Sequence, residues 1–267
     1  MKRPHVVAAL SVLALVVMLA AGGPAVALAP AAPAPALAVG PVGFTHVSMC
    51  RVYPPGTCPT AEATGYRVVP LTTWAFPVTN PSTTQTARNV SARLLMLDAG
   101  GQTLIDTVIP VAGSILPGTT AWVAPTAYQG DGVRPTSFRP EDAGAMGVTT
   151  ATAAIQSVEW TTRGGRQLAP ARGRWDVGEV VYWFGLKGVP AVNLETHARI
   201  ANPGGPLWVY GTWVAFDSAG RAMGGVRLER QVSPGTHGTG FDWMVPGPFA
   251  ERMAKLVFYP VTRGAAP

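Results

Sequence analysis

Apolar, β-branched runs alternate along the chain with clusters of Gly, Pro, Asn and Asp, and the runs are too short for helices. In the first half Tyr66 to Leu71 and Thr73 to Val78 read as strands about a Pro bend. Val90 to Leu97, Thr103 to Val111, Thr119 to Val123 and Ala153 to Trp160 follow as further strands. The second half gives Glu179 to Leu186, Thr196 to Ala201, Leu207 to Phe216, Gly225 to Gln231, Thr239 to Met244 and Leu256 to Val261. Leu207 to Phe216, dominated by aromatic and β-branched residues, is the strongest strand signal. Between Ala124 and Thr149 periodicity fails, and that stretch reads as a long loop with a short helical turn near Pro140 to Ala145. Loops of this length often carry function, so position alone makes it a candidate binding region.

The punctuation between the runs occurs twice. Asn80-Pro81, Asp98 with Gly100-Gly101, and Pro117-Gly118 recur as Asn202-Pro203, Asp217 with Gly220, and Pro234-Gly235. The spacings are 18 and 15 residues from Asn to Asp, then 19 and 17 from Asp to Pro. Such a repeat predicts two copies of one β-domain. Each Asp opens a hairpin whose turn amides its carboxylate can accept, and each Asn initiates a turn before proline. The expected fold is all-β, two immunoglobulin-like β-sandwiches in tandem.

Trp213-Val214-Ala215-Phe216-Asp217 with Gly220, flanked by Asn202-Pro203 and Pro234-Gly235, resembles the bacterial FxLYD-type domain. Leu94-Leu95-Met96-Leu97-Asp98 occupies the same place in the first copy, with Leu at both aromatic positions. Ala215 stands where a larger aliphatic is expected. The resemblance implies immunoglobulin-like sandwiches of an exported or cell-envelope protein, and brings no catalytic residues with it.

The ends agree with export. Lys2-Arg3, the apolar run Val6 to Ala20 and the small residues Ala25-Val26-Ala27 form a signal segment expected to be cut after Ala27; the competing reading keeps it as a membrane anchor. Residues 28–43 are an Ala/Pro-rich, semi-rigid linker. The first sandwich is assigned to 44–160, an Arg/Gly-rich linker to 161–177, the second sandwich to 178–262 and a tail to 263–267. Cys50 and Cys58 flank a Pro-Pro-Gly turn and are expected to close a structural disulfide in an oxidising compartment.

Charge narrows the partners. The chain carries +6, or +4 without Lys2 and Arg3, and nearly all of it is Arg. That excess suits an anionic wall polymer, and no basic helix or aromatic motif points to nucleic acid. Arg163, Arg166, Arg172 and Arg174 form the densest positive patch, read either as a solvated linker or as a ligand surface. Trp208 and Tyr210 share one strand face and Trp213 points opposite; core filling and a sugar-binding surface are the two readings of these rings. His46, His197 and His237 lack metal-ligand spacing, no nucleophile motif or phosphate loop appears, and no cofactor is called for. The expectation is an exported, non-catalytic binding or spacer protein of the bacterial envelope, with a cell-envelope protein or anionic polymer as partner. A carbohydrate- or wall-polymer-binding module and a secreted hydrolase with an unreadable site are the alternatives.

Overall fold

In the computed structural model, which describes residues 35–50, 68–111, 113–127, 139–140, 147–162, 164–183 and 186–262, the alternating runs become antiparallel strands. The first half holds β1 (Ala38–Val39), β2 (Gly43–Cys50), β3 (Val68–Thr79), β4 (Thr86–Leu97), β5 (Thr103–Pro110), β6 (Thr120–Val123), β7 (Arg139–Pro140) and β8 (Thr150–Thr161). The second holds β9 (Ala171–Trp183), β10 (Leu186–Asn202), β11 (Leu207–Phe216), β12 (Ala222–Val232), β13 (Gly235–Pro246), a short helix α1 (Gly247–Arg252) and β14 (Lys255–Thr262).

The pairings of the two halves correspond strand for strand. β3 pairs with β2 and β6 as β10 pairs with β9 and β13, and β4 stands between β5 and β8 as β11 stands between β12 and β14. In the second half the two groups join into one ladder because β9 changes partners, pairing with β14 up to Gly173 and with β10 from Arg174. The turns match as well. Asp98 Oδ1 accepts the amides of Gly100 and Gln102, and Asp217 Oδ1 those of Ala219 and Arg221. The Arg221 amide above all holds the Asp217 carboxyl below the usual carboxylate range. Buried Asn80 donates to the carbonyls of Gln85 and Ile115, and buried Asn202 to those of Gly205, Val232 and Ser233.

Each half buries the inward residues of its own strands. Phe76, Val78, Leu94, Met96 and Ile115 centre the first core, while Leu194, Trp213, Trp243, Phe249 and Phe258 centre the second. A third cluster lies between the halves: Ala75 and Ala124 pack on Val214, Phe216 and Val257, with Trp122 and Tyr259 against them. The Trp122 ring stands edge-on to Phe216 at 5.4 Å.

The outer edge of β12 would be an open row of amides and carbonyls, and the first half closes it. Thr45 Oγ1 donates to the Met223 carbonyl at 2.8 Å and Thr73 Oγ1 to that of Gly225 at 3.1 Å. The Arg227 amide donates to Pro125, and its carbonyl accepts from Ala127. Gly43 and Gly224 allow the first half to lie this close, and Gly225 does the same for β12 against β11. A Cβ on Gly43 would collide with the Ala222 carbonyl, one on Gly224 with Thr73, and one on Gly225 would sit 2.5 Å from the Trp213 carbonyl oxygen. Gly224 also holds φ at +152°, which a side chain would strain.

Several elements differ from the sequence reading. β3 runs unbroken through Pro70 and Pro77, so no Pro bend divides it. Leu37, Val39 and Val42, within the Ala/Pro linker, pack on the first core, and β1 pairs with Val78 and Thr79. Of the Arg/Gly-rich stretch, 164–170 lacks regular structure but buries Leu168, and from Ala171 onward it is strand β9. Helix α1 had no periodic signal and was not expected; buried Phe249 anchors it. The signal segment, Cys58 and residues 141–145 of the expected helical turn lie outside the described residues, so the Cys50–Cys58 pairing lies outside them too, while Pro140, where that turn was expected to begin, is in strand β7 and pairs with Leu71. Among the described residues, no helix is long and apolar enough to cross a membrane.

The glycine seam is open to direct test. Gly43→Ala is expected to lower stability by about 2 kcal/mol, because the added methyl meets the Ala222 carbonyl, backbone that cannot move aside. Gly164→Ala, with nothing within 4 Å of the new carbon, is expected to change it by less than about 0.5 kcal/mol. Chemical denaturation of the two variants beside the parent measures both.

Candidate functional site

The outer face of β9, β10 and β13 forms an open trough of about 1430 Å³. Cross-strand register sets its rows. Arg174 lies opposite His197, which lies opposite Gly240; Asp176 lies opposite Glu195, which lies opposite Asp242. Arg172 and Arg199, the latter opposite Gly238, extend the basic end. Rows along a strand repeat about every 6.8 Å, two residues of rise. The trough therefore passes from a basic end to an acidic end, and the two glycines leave the β13 side without side chains. The alternation in β10 explains the exposure: Leu194, Thr196, Ala198 and Ile200 face the core, while Glu195, His197 and Arg199 face out.

The side chains of Arg172, Arg174, Arg199, His197, Asp176 and Glu195 make no hydrogen bond or ion pair with other described residues. Like charges set directly opposite across strands, as Asp176 and Glu195 are, weaken a sheet. At the acidic end Asn193 is wholly buried, with neither its amide nitrogen nor its oxygen hydrogen-bonded. A Cβ on Gly178 would lie 3.5 Å from both Asn193 Nδ2 and Glu195 Oε1, which puts both side chains on the trough face. Leaving such an amide unpaired costs about 1–3 kcal/mol.

The arginines singled out in the sequence separate here. Arg172 and Arg174 face the trough. Arg166 turns to the Gly205 carbonyl at 2.8 Å and packs on Gly204, so it braces the turn after Asn202. Arg163 lies outside the described residues. Among the aromatic candidates, Trp208 is 48% exposed and Tyr210 half-buried on the same face, with the Arg227 guanidinium 6.0 Å from the Tyr210 ring centre. Arg227 also donates to the Pro110 carbonyl and to Thr126 Oγ1, and burial is the main cause lowering its pKa. Trp213 is wholly buried against Phe258, so its place in a ligand surface is corrected: it fills the core.

Arg199, His197, Gly238 and Gly240 were missed. The signal was present as His197-Ala198-Arg199 on one strand and Arg172-Gly173-Arg174 on another, each alternating polar with small. Only the register between strands shows that the two motifs share a face.

The other histidines are engaged. His237 Nε2 donates to the Pro234 carbonyl at 2.6 Å. His46 Nε2 accepts the Gly147 amide at 3.3 Å, which fixes the ring proton on Nδ1, 2.8 Å from Thr72 Oγ1. Among the described residues, no group of three or more His, Cys, Asp or Glu side chains is placed to hold a metal ion. Compared with known proteins, the chain matches no family model and no curated protein.

Burial holds the His46 pKa below its ordinary value of about 6.5. The unfolded chain thus takes up this proton more readily than the folded one, so the contribution is present above about pH 6.5 and is lost as pH falls through the lower folded pKa. Stability measured by denaturation is expected to decline over that window, and His46→Gln is expected to flatten the decline.

Proposed function

We propose that this chain is an exported, non-catalytic binding or spacer protein of the bacterial envelope, built from two immunoglobulin-like domains of the FxLYD type. The trough is its binding surface. One observation carries the reading: five charged side chains, Arg172, Arg174, Arg199, Asp176 and Glu195, stand with His197 on one open face without side-chain partners among the described residues. Exposed, unpaired charges of both signs on one face serve electrostatic recognition better than stability. Support for the domain assignment comes from strand order. Apart from the two-residue strands β1 and β7, each half groups its first, second and fifth strands (β2, β3, β6; β9, β10, β13) and its third, fourth and sixth (β4, β5, β8; β11, β12, β14), as in the sandwich with Greek-key connections. Support for export comes from Lys2-Arg3, the apolar run and Ala25-Val26-Ala27. The engaged rings of His46 and His237 suit a protein that binds rather than one that moves protons.

A second reading rests on Trp208, the most exposed of the described tryptophans, beside Tyr210 and opposite Gln231. An exposed indole flanked by an amide is the chemistry of a sugar-stacking site.

Co-sedimentation of the mature chain with isolated cell envelopes separates these. Arg172→Ala/Arg174→Ala/Arg199→Ala is expected to reduce the bound fraction at least about tenfold at low salt, with the parent's binding weakening as salt screens the charges. Trp208→Ala is expected to leave it unchanged; the opposite result transfers the function to the aromatic face. Absence of any envelope binding, or turnover of a substrate by the purified chain, overturns the binding reading. N-terminal sequencing of the exported protein is expected to begin at Leu28.

A further inference from the structure

The correspondence of the two halves identifies what the trough is. Thr73 lies seven residues before Asn80, and Glu195 seven before Asn202. The cross-strand pair Thr45–Thr73 of the first half therefore corresponds to Asp176–Glu195 of the second, and Gly43–Ala75 to Arg174–His197. Leu71, buried in the second half's core, corresponds to Asn193. In the first half these are the residues on which β12 lies: Gly43 against Ala222, Thr45 on the Met223 carbonyl, and Thr73 against Gly224 and on the Gly225 carbonyl. The same face is thus a strand-docking platform in one copy and the trough in the other.

The difference between them is chemical. Where the first copy offers Gly, Thr, Thr and Ala, which let backbone settle on the sheet, the second offers Arg, Asp, Glu and His. The strand that would have to dock also differs. Gly224 and Gly225 lie opposite Ala215 and Val214 of β11; the corresponding positions opposite Met96 and Leu95 of β4 are Ile105 and Asp106 in β5. A second copy of this chain would bring Ile105 and Asp106 where the close approach needs Gly-Gly, so head-to-tail stacking stops after two domains.

We infer that the trough is a strand-docking face whose charges specify a different partner: an extended polypeptide strand carrying an acidic residue two positions before a basic one. This rests on the trough being the binding surface. The order follows from the contacts in the first half. The position of Ala222 meets Gly43, whose counterpart is Arg174, and the position of Gly224 meets Thr73, whose counterpart is Glu195. A polyanion satisfies the arginines but meets Asp176, Glu195 and Asp242 one row further on, and a strand of mixed charge satisfies both rows.

Binding of synthetic peptides to the full mature chain, read by fluorescence anisotropy, tests this. The probes are residues 218–232 unchanged, the same peptide with Ala222→Glu/Gly224→Lys, and the reversed peptide with Ala222→Lys/Gly224→Glu; polyphosphate is the competing ligand. The Glu/Lys peptide is expected to bind the parent protein about tenfold more tightly than the other two, as two charge pairs of about 0.7 kcal/mol each would give. In Arg174→Glu/Glu195→Lys protein the preference is expected to pass to the reversed peptide. Both charged sites are solvent-exposed, so the variant keeps its fold, checked by its thermal unfolding. Equal affinity for the three peptides, no exchange of preference in the variant, or polyphosphate binding as tightly as the Glu/Lys peptide overturns the inference. Envelope binding that is lost in the triple arginine variant but accompanied by such a result leaves the binding reading standing and removes only the strand partner.

Discussion

Everything in this molecule beyond the two separate cores depends on how closely the edge of β12 approaches β2 and β3. An edge strand exposes a row of polar backbone groups that must be satisfied by water or by protein. Here the donors are the hydroxyls of Thr45 and Thr73 and the amide of Ala127, and the Pro125 carbonyl accepts from Arg227. Hydroxyls on short side chains reach carbonyls only when the backbones lie close, and Gly43 and Gly224 are what permit that. Thr212 adds a bond to the Trp122 carbonyl, and the apolar cluster of Ala75, Ala124, Val214, Phe216 and Val257 excludes water beside it. Polar satisfaction and apolar burial are therefore concurrent at one seam.

That seam also decides which sheet face stays open. The face of β2 and β3 is spent on β12, which leaves the corresponding face of β9 and β10 as the open one. A duplicated fold presents each surface twice, and unless the second presentation is changed it invites further copies of the chain. Arg174, Asp176, Glu195 and His197 supply the change. Charged side chains on a sheet face resist the approach of apolar or unmatched strands, and the same groups attract a partner whose charges are complementary. The facing carboxylates of Asp176 and Glu195 lower the stability of the sheet, and the proposed strand partner is what would use them.

Individual residues show which parts of this were legible. Asp98 and Asp217 accept the same pair of turn amides because a carboxylate beside its own turn amides needs only local chain geometry, and local geometry follows from Asp-x-x-Gly. Alternation likewise separates Trp208, exposed, from Trp213, buried, five residues later on the same strand. Arg166 and Arg174 were not separable by such means. They belong to one Gly-rich stretch, yet one is fixed to the turn at Gly204-Gly205 and the other stands in the trough. Their fates depend on where β9 begins and which strand it joins. Helix α1 was hidden for the related reason that burial of Phe249 in the core, not periodicity, holds it.

By itself the sequence determined an antiparallel, all-β chain with its turns at two sets of matched positions, because strand periodicity and turn chemistry act over a few residues. It also determined the charge that a partner meets. Tertiary structure alone decided that β12 lies on β2 and β3, that Leu37, Val39 and Val42 join the first core, and that Arg172, Arg174, His197 and Arg199 share a face. Those outcomes turn on register and on contact between segments far apart in the chain. Close approach of backbones depends on the absence of a side chain at a few positions, and only the packed structure shows which absences are used.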